Sequence, residues 1–306
     1  MSSQLADDVR QLHSILSGKT KDDNLLIKII TSKTNEERQK IKEEYKSTYD
    51  LDLIKDLEKA YSGHFEEVLV GLFTEPLDYD CFHIRKAVKG LGTDEMALIE
   101  ILATRDSEYI EKMKVRYKEI YPGRDMVVDI KEDTSGHFWQ VLKALLETKR
   151  ENNTVPDIEE CKAYAKMLYE ASQTKNNHAE IFIEILTKKS KEEIKEIGKI
   201  YHKISKNGLI GDIEKIFAGD TKNALIGILY GILSPSEYFA KLIYEAIKGL
   251  GTNDTTLIRV LITRDEIDMP QIKQFYKRVY KKDMIDDIKG DTSGNYQKIL
   301  VELATH

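Results

Sequence analysis

Two stretches of this chain are near copies of one another. Ile84–Glu147 aligns with Ile243–Leu303, and the matches extend well beyond apolar positions. Val88-Lys89-Gly90-Leu91-Gly92-Thr93 answers Ile247-Lys248-Gly249-Leu250-Gly251-Thr252, and Thr104-Arg105-Asp106 answers Thr263-Arg264-Asp265. Arg116-Tyr117-Lys118 with Tyr121 answers Phe275-Tyr276-Lys277 with Tyr280, and Asp133-Thr134-Ser135-Gly136 answers Asp291-Thr292-Ser293-Gly294. The offset is 159 residues through Tyr280 and 158 beyond it, so one residue has been gained or lost near Pro122-Gly123. Self-similarity of this kind makes the chain an array of one supersecondary unit, and the unit must be understood before the whole.

Two fainter copies fill the rest. Leu25-Leu26-Ile27-Lys28-Ile29-Ile30 matches Ala97–Leu102, Ser62-Gly63-His64-Phe65 matches Ser135-Gly136-His137-Phe138, and Ile181-Phe182-Ile183-Glu184-Ile185-Leu186 repeats the apolar string again. Four units of about seventy residues result, at 1–75, 76–148, 149–233 and 234–306. The second and third units are joined by the polar stretch Thr148–Asp157, whose Asn152-Asn153 and Pro156 read as a linker between two halves of the chain.

Each unit reads as helical throughout. Apolar residues recur at spacings of three and four, as in Leu98, Ile101 and Leu102 or Leu257, Val260 and Leu261. Thr34 with Glu37 and Ser190 with Glu193 have capping-box spacing at matching places in units one and three. β-Branched runs punctuated by frequent turns are absent, and only 5 prolines and 17 glycines occur among 306 residues. The expected fold class is all-α, with five helices per unit: a hairpin closing on the Gly-x-Gly-Thr loop, one crossing helix, and a second hairpin closing near Asp-Thr-Ser-Gly.

Charge narrows the function classes. With 47 basic and 53 acidic side chains the net charge is −6, which argues against a nucleic-acid partner, since such proteins show a basic excess or stripe. It argues equally against direct electrostatic docking on an anionic membrane; a positive bridge from outside the sequence would be required. Cys81 and Cys161 are too few for a disulfide framework and read as small buried residues in a reducing compartment. Ser2–Lys21 has no apolar stretch resembling a signal peptide, and the longest apolar run, Ala224–Leu233, is about half the length of a bilayer span. The expected location is cytoplasmic.

The Gly90-Leu91-Gly92-Thr93 loop carries the chemistry. Its glycines can adopt positive φ and leave the backbone uncovered, so the carbonyls of Val88, Gly90 and Gly92 can face one small space. Asp133, about forty positions on, would return on the neighbouring hairpin to close it. Three carbonyls and a carboxylate form a hard-oxygen set suited to Ca²⁺, with its six to eight flexible ligands, better than to Mg²⁺. The same set recurs as Ile247, Gly249, Gly251 and Asp291. Lys89 and Lys248 could meet a lipid head group as point charges. A lone Gly-x-Gly-Thr between helices is more often a C-cap followed by an N-cap, with Thr93 or Asp94 capping the next helix. Two copies, each followed by Asp-Thr-Ser-Gly at nearly equal distance, favour the cation site.

These residues resemble the annexin family, and the resemblance covers nearly the whole chain. The Lys-Gly-x-Gly-Thr loops at Lys89–Thr93 and Lys248–Thr252, with their distant acids Asp133 and Asp291, are the matching motifs. The resemblance implies a curved disc of four five-helix repeats, with repeats two and four diagonally opposite so that both loops face one membrane. It also implies Ca²⁺-dependent, reversible peripheral binding to acidic phospholipids such as phosphatidylserine, on the cytosolic face. Repeats one and three depart from the pattern. Ser17-Gly18-Lys19-Thr20-Lys21 and Gln173-Thr174-Lys175-Asn176-Asn177 replace the loops, and Ala60 and the region of Ile216 replace the acids, with Asp220 a misplaced substitute. Both of these sites are expected to be lost.

Other signals are weaker. Gly18-Lys19-Thr20 has His13 where a phosphate-binding loop needs its first glycine. His64 and His137 occupy equivalent positions and read as packing residues, Trp139 as a buried helix anchor, and the runs Glu36–Lys46 and Lys188–Lys195 as solvated helix faces. No activated nucleophile or acid–base pair is visible, so an enzyme is not expected. The rival reading is a scaffold of the same fold, acting through cytoskeletal contacts or self-association.

Overall fold

The computed structural model describes residues 3–174, 179–249 and 251–306; within them the secondary structure is twenty α-helices, and no strand occurs among the described residues. The first repeat contains α1 (Ser3–Leu16), α2 (Asp23–Thr31), α3 (Asn35–Tyr49), α4 (Leu53–Ala60) and α5 (Gly63–Leu72). The second contains α6 (Pro76–Ala87), α7 (Glu95–Thr104), α8 (Ser107–Ile120), α9 (Met126–Asp133) and α10 (Gly136–Glu147). The third contains α11 (Ile158–Gln173), α12 (Ala179–Lys188), α13 (Lys191–Ile204), α14 (Gly208–Ile216) and α15 (Gly219–Leu233). The fourth contains α16 (Pro235–Ile247), α17 (Asp254–Arg264), α18 (Met269–Tyr280), α19 (Met284–Asp291) and α20 (Gly294–Thr305).

The chain divides into two compact units, Asp80–Tyr238 and the combination of Met1–Tyr79 with Phe239–His306. Repeats two and three therefore share one unit, and repeats one and four share the other. This corrects the reading of Thr148–Asp157 as a linker between halves. The stretch belongs to the first of these units and is pinned there: Glu151 N donates to Lys188 O at 2.7 Å, and the Arg150 guanidinium donates to Leu186 O at 2.7 Å and to Lys189 O.

The recurring apolar string is explained by where it sits. In α7, Ala97, Leu98, Ile99, Ile101 and Leu102 are all buried, and α2, α12 and α17 show the same pattern. Burial runs right round α7 and α17, taking in Glu100 and Arg259 as well, so each must be enclosed by others. In Asp80–Tyr238, α7 and α10 pack with α12 and α15; in the other unit, α2 and α5 pack with α17 and α20. Small residues set the closest approach. A Cβ on Gly231 of α15 would lie 2.5 Å from Ala103 O of α7, and one on Gly71 of α5 would lie 2.7 Å from Ile262 Cδ1 of α17.

Polar anchoring repeats as well. In each repeat a tyrosine of the third helix donates its hydroxyl to an aspartate of the fourth: Tyr45 to Asp56 at 2.7 Å, Tyr117 to Asp129 at 2.7 Å, Tyr201 to Asp212 at 2.9 Å and Tyr276 to Asp287 at 2.7 Å. All four tyrosines are completely buried, and burial followed by the neighbouring carboxylate raises each phenol above its ordinary value. At Asp212 burial opposes ionisation, but hydrogen bonds from Ser205, Asn207 and Tyr201 outweigh it and hold the carboxyl below its usual range.

The expected capping boxes form at Thr34–Glu37 and Ser190–Glu193. The two charged runs are not simply solvated faces. Arg38, in Glu36–Lys46, is 2% exposed and donates to Ile30 O, Lys33 O and Glu266 Oε1; Lys189, in Lys188–Lys195, pairs with Glu151 at 3.1 Å. Trp139 is half-buried on α10, not a core anchor. Cys81 and Cys161 are buried, donating to Met113 O and Glu193 O.

Candidate metal centre

The loop after α6 is held at both ends. Val88 is 7% exposed, so its side chain fixes the first residue of the loop in the core. Asp94 N donates to Ala87 O at 2.9 Å, and the Asp94 carboxylate caps α7 by accepting from Ala97 N at 3.0 Å. The loop after α16 is built the same way: Ile247 is 8% exposed, Asn253 N donates to Ala246 O at 2.7 Å, and Asn253 caps α17 through Thr256 N at 3.1 Å. The capping role weighed for Asp94 is thus real, and it leaves the preceding residues free for another purpose.

Between these pins the backbone turns outward. Gly90 and Gly92 have φ of 115° and 86°, and Gly249 and Gly251 have 108° and 86°. A Cβ at any of the four would meet nothing within 4 Å, so these glycines are required by backbone conformation and not by crowding. Leu91, between the first pair, is fully exposed; its counterpart Leu250 lies outside the described residues.

The distant aspartates arrive where the spacing placed them. Thr93 Oγ1 donates to Asp133 Oδ2 at 3.2 Å and lies 3.1 Å from Asp133 O; Thr252 Oγ1 donates to Asp291 Oδ2 at 2.9 Å, with Asp291 O at 3.4 Å. Asp133 and Asp291 are the last residues of α9 and α19. The Tyr–Asp bonds described above are made at Asp129 and Asp287, one helical turn earlier, and so fix the end of the helix that presents the acid.

Both aspartates stand where a carboxylate is disfavoured, since a helix C-terminus carries partial negative charge. Among the described residues, no basic side chain lies within ion-pair distance of either. Both are exposed. An open arc of backbone beside one uncompensated carboxylate fits a hard divalent cation: carbonyl oxygens supply most of the coordination and a single acid supplies the charge. No cluster of three or more His, Cys, Asp or Glu side chains suited to a metal occurs among the described residues, so a metal here must rely on the main chain.

The two lysines differ. Lys89 is exposed, whereas Lys248 Nζ leans back along its own helix, 3.7 Å from Glu245 Oε1 and 5.6 Å from the Tyr244 ring centroid. Such exposed pairs are weak and do not hold Lys248 there firmly.

Repeats one and three are built otherwise. After α1, Lys19 N and Thr20 N both donate to Ser14 O, at 3.0 and 3.1 Å, and Thr20 Oγ1 meets Ser14 Oγ at 2.8 Å. This is a closed helix cap with one positive-φ glycine, Gly18, and α4 ends in Ala60. In the third repeat α14 ends in Ile216, and Asp220 sits in the first turn of α15 instead. Lys175, Asn176 and Asn177 of the expected loop lie outside the described residues.

The Tyr–Asp bonds, which set the helix carrying each acid, are the site feature that motif reading missed. Their signal was present as a tyrosine and an aspartate 11 or 12 residues apart in every repeat. The histidines do more than pack, although the His64 ring does lie 5.4 Å from that of Tyr296. His64 and His137 are half-exposed; His64 lies 2.8 Å from Glu67 and 3.3 Å from Asp254, and His137 lies 3.9 Å from Glu180, so each makes polar links between repeats of its own unit.

Four five-helix repeats, two of them carrying a glycine loop closed against a helix-end aspartate, define an all-α repeat protein with a duplicated loop site. The chain belongs to the annexin family: a family profile described as Annexin matches residues 7–72, 79–145, 163–228 and 238–303. Human annexin A4 is 38% identical over 298 residues, covering 97% of this chain and 93% of that protein. Rat annexin A6 is 39% identical over 298 residues, and there the match spans only 44% of the relative. Among solved structures, calcium-bound annexin (Sm)1 superimposes with a TM-score of 0.86 at 28% identity, covering 99% of this chain and 90% of that one.

Proposed function

We propose that this protein binds Ca²⁺ at its second and fourth repeats and thereby attaches reversibly to acidic phospholipid membranes. The observation that carries the reading is the pair of uncompensated carboxylates, Asp133 and Asp291, each held by a threonine against an open glycine loop. In this reading the carbonyls of Val88, Gly90 and Gly92 join Asp133 in one ligand set, and those of Ile247, Gly249 and Gly251 join Asp291 in the other. Calcium, when bound, supplies the positive charge that a chain of net charge −6 lacks for an anionic surface.

The chain's own residues do the rest. The core-anchored Val88 and Ile247 fix where each loop starts, and Thr93 and Thr252 hold one carboxylate oxygen in place. The exposed Lys89 and Lys248 meet head-group phosphate as point charges, and Leu91, uncovered at its loop tip, contacts the lipid surface. The calcium-bound state of annexin (Sm)1 supports the choice of metal. Two weak sites on one chain reinforce each other through effective concentration. Attachment is peripheral and on the cytosolic face; no helix among the described residues is long and apolar enough to cross a membrane.

The test is sedimentation with vesicles of phosphatidylserine and phosphatidylcholine, with and without calcium. The wild-type protein should pellet only with calcium and phosphatidylserine, and Asp133→Ala with Asp291→Ala should remove pelleting while leaving helicity intact. Pelleting that survives the double substitution would refute the site assignment. No pelleting of the wild type at saturating calcium would transfer support to the scaffold reading.

A further inference from the structure

A cavity of about 480 Å³ lies within Asp80–Tyr238, where Thr148–Thr154 runs past the starts of α8 and α13. Its charged lining falls into two sets. The carboxylates are all engaged: Asp106 caps α8 through Tyr109 N, Glu108 pairs with Lys112, Glu151 with Lys189 and Glu192 with Lys195. Among the cations, Arg105 is gripped by both carboxylate oxygens of Asp80, at 2.8 and 2.9 Å. Lys149, Arg150 and Lys191 have no carboxylate within ion-pair distance among the described residues.

Arg150 is the informative member of the set. Its guanidinium donates to Leu186 O and Lys189 O, which are neutral acceptors at the end of α12. The equivalent helix end in the first repeat is capped by Arg38, which donates to Ile30 O and Lys33 O in the same manner but also to Glu266 Oε1 at 2.8 Å. The cap is thus built twice, and only Arg38 receives an anion from the protein. Burial lowers the Arg150 pKa to about 10, with no carboxylate opposing it.

We propose that this cavity binds a small phosphate-bearing group, with Arg150, Lys149 and Lys191 as its cationic contacts. Three unpaired cations, set against the single carboxylate of Asp106 that only a backbone N–H engages, call for a ligand carrying about two negative charges. Arg150 keeps N–H donors beyond the two given to Leu186 O and Lys189 O, and with the ammonium groups of Lys149 and Lys191 in the same lining it suits the several oxygens of a tetrahedral phosphate better than a monocarboxylate. The volume falls within the range of sites for small molecules. The site lies at the opposite end of α7 from the second-repeat glycine loop and does not depend on calcium.

The experiment is calorimetric titration of the full chain with inorganic pyrophosphate, in chelator and at ionic strength matched with chloride, so that the calcium loops cannot contribute. The wild type should bind at one site. Lys149→Glu with Lys191→Glu, both at exposed unpaired positions, should weaken binding by at least about tenfold with an unchanged melting temperature. Arg150→Lys, which keeps the charge and loses the fork, should weaken it several-fold. A wild type that gives no binding heat, or binding that both variants leave intact, would overturn the proposal. In a parallel arm, vesicles carrying an inositol phosphate head group are sedimented in the same chelated buffer. Sedimentation that pyrophosphate competes away assigns the bound phosphate to a lipid; pyrophosphate binding without sedimentation assigns it to a soluble molecule.

Discussion

Tyr276 donates its hydroxyl to Asp287 at 2.7 Å, one turn of helix before Asp291, the acid that meets the fourth-repeat loop. The same bond exists in the first repeat between Tyr45 and Asp56, but there the residue one turn on is Ala60. The bond is therefore part of the fold, and two repeats have placed a ligand-type side chain at the end it fixes.

This comparison gives the first prediction. Tyr45→Phe and Tyr276→Phe should each lower unfolding free energy by about 1–2 kcal/mol, the loss expected for a buried hydrogen bond whose acceptor remains. Only Tyr276→Phe should also raise the calcium concentration needed for vesicle pelleting. Urea denaturation and a calcium titration of pelleting, run on both variants, separate the two effects; an equal calcium shift in both would contradict the positioning argument.

Thr93→Val with Thr252→Val removes the hydroxyls that hold Asp133 and Asp291 while keeping side-chain shape. Because these bonds are exposed, stability should change by less than about 0.5 kcal/mol. The calcium midpoint for pelleting should rise by roughly threefold to tenfold, corresponding to about 1 kcal/mol per site.

Two glycines that both lie within helices should respond oppositely to alanine. At Gly231 the new Cβ would sit 2.5 Å from Ala103 O, a backbone atom of the facing helix. Gly231→Ala should destabilise by about 2–3 kcal/mol. Gly198, in α13, has nothing within 4 Å of its added Cβ, so Gly198→Ala should stabilise by about 0.5–1 kcal/mol through helix propensity. Chemical denaturation midpoints of the two variants should move in opposite directions.

The four clamped tyrosines predict an alkaline limit. Each has a folded-state pKa raised above the ordinary phenol value of 10.0, by burial first and the adjacent carboxylate next. A raised pKa contributes stability that is complete below the unfolded-state value and is lost as pH rises toward the folded-state value. Melting temperature should hold up to about pH 9 and fall steadily above about pH 10. Replacing all four tyrosines with phenylalanine should make the fall shallower.

Much of this was legible because the chain contains its own alignment. The string Leu25–Ile30, seen again at Ala97–Leu102, marked the repeat, and the glycine loops declared themselves by recurring with their aspartates. What stayed hidden were pairings between helices. One slot shows why. Lys33 pairs with Asp8 at 2.9 Å and Arg105 with Asp80 at 2.8 Å, while in the later repeats Lys189 lies over the Tyr164 ring at 4.6 Å and Arg264 over Phe239 at 4.2 Å. A cation at the end of the second helix is kept in all four repeats, but the first helix offers it a carboxylate in repeats one and two and an aromatic face in repeats three and four, where Glu151 and Asp268 supply the ion pair instead; identity matching cannot follow that exchange. The linker was misjudged for a related reason: its polarity reads as exposure, yet Arg150 and Glu151 use theirs to bind the carbonyls and lysine of the next hairpin.

The interrupted composition of one compact unit bears on how the chain is made. Met1–Tyr79 finds the helices that complete its core, α17 and α20, only in Phe239–His306, whereas Asp80–Tyr238 is continuous. During synthesis the middle of the chain can close on itself while the first repeat still waits, its apolar α2 uncovered, for Phe239–His306 to emerge. The slow, aggregation-prone interval of biogenesis therefore belongs to the first repeat, and a premature stop before the fourth would leave it stranded.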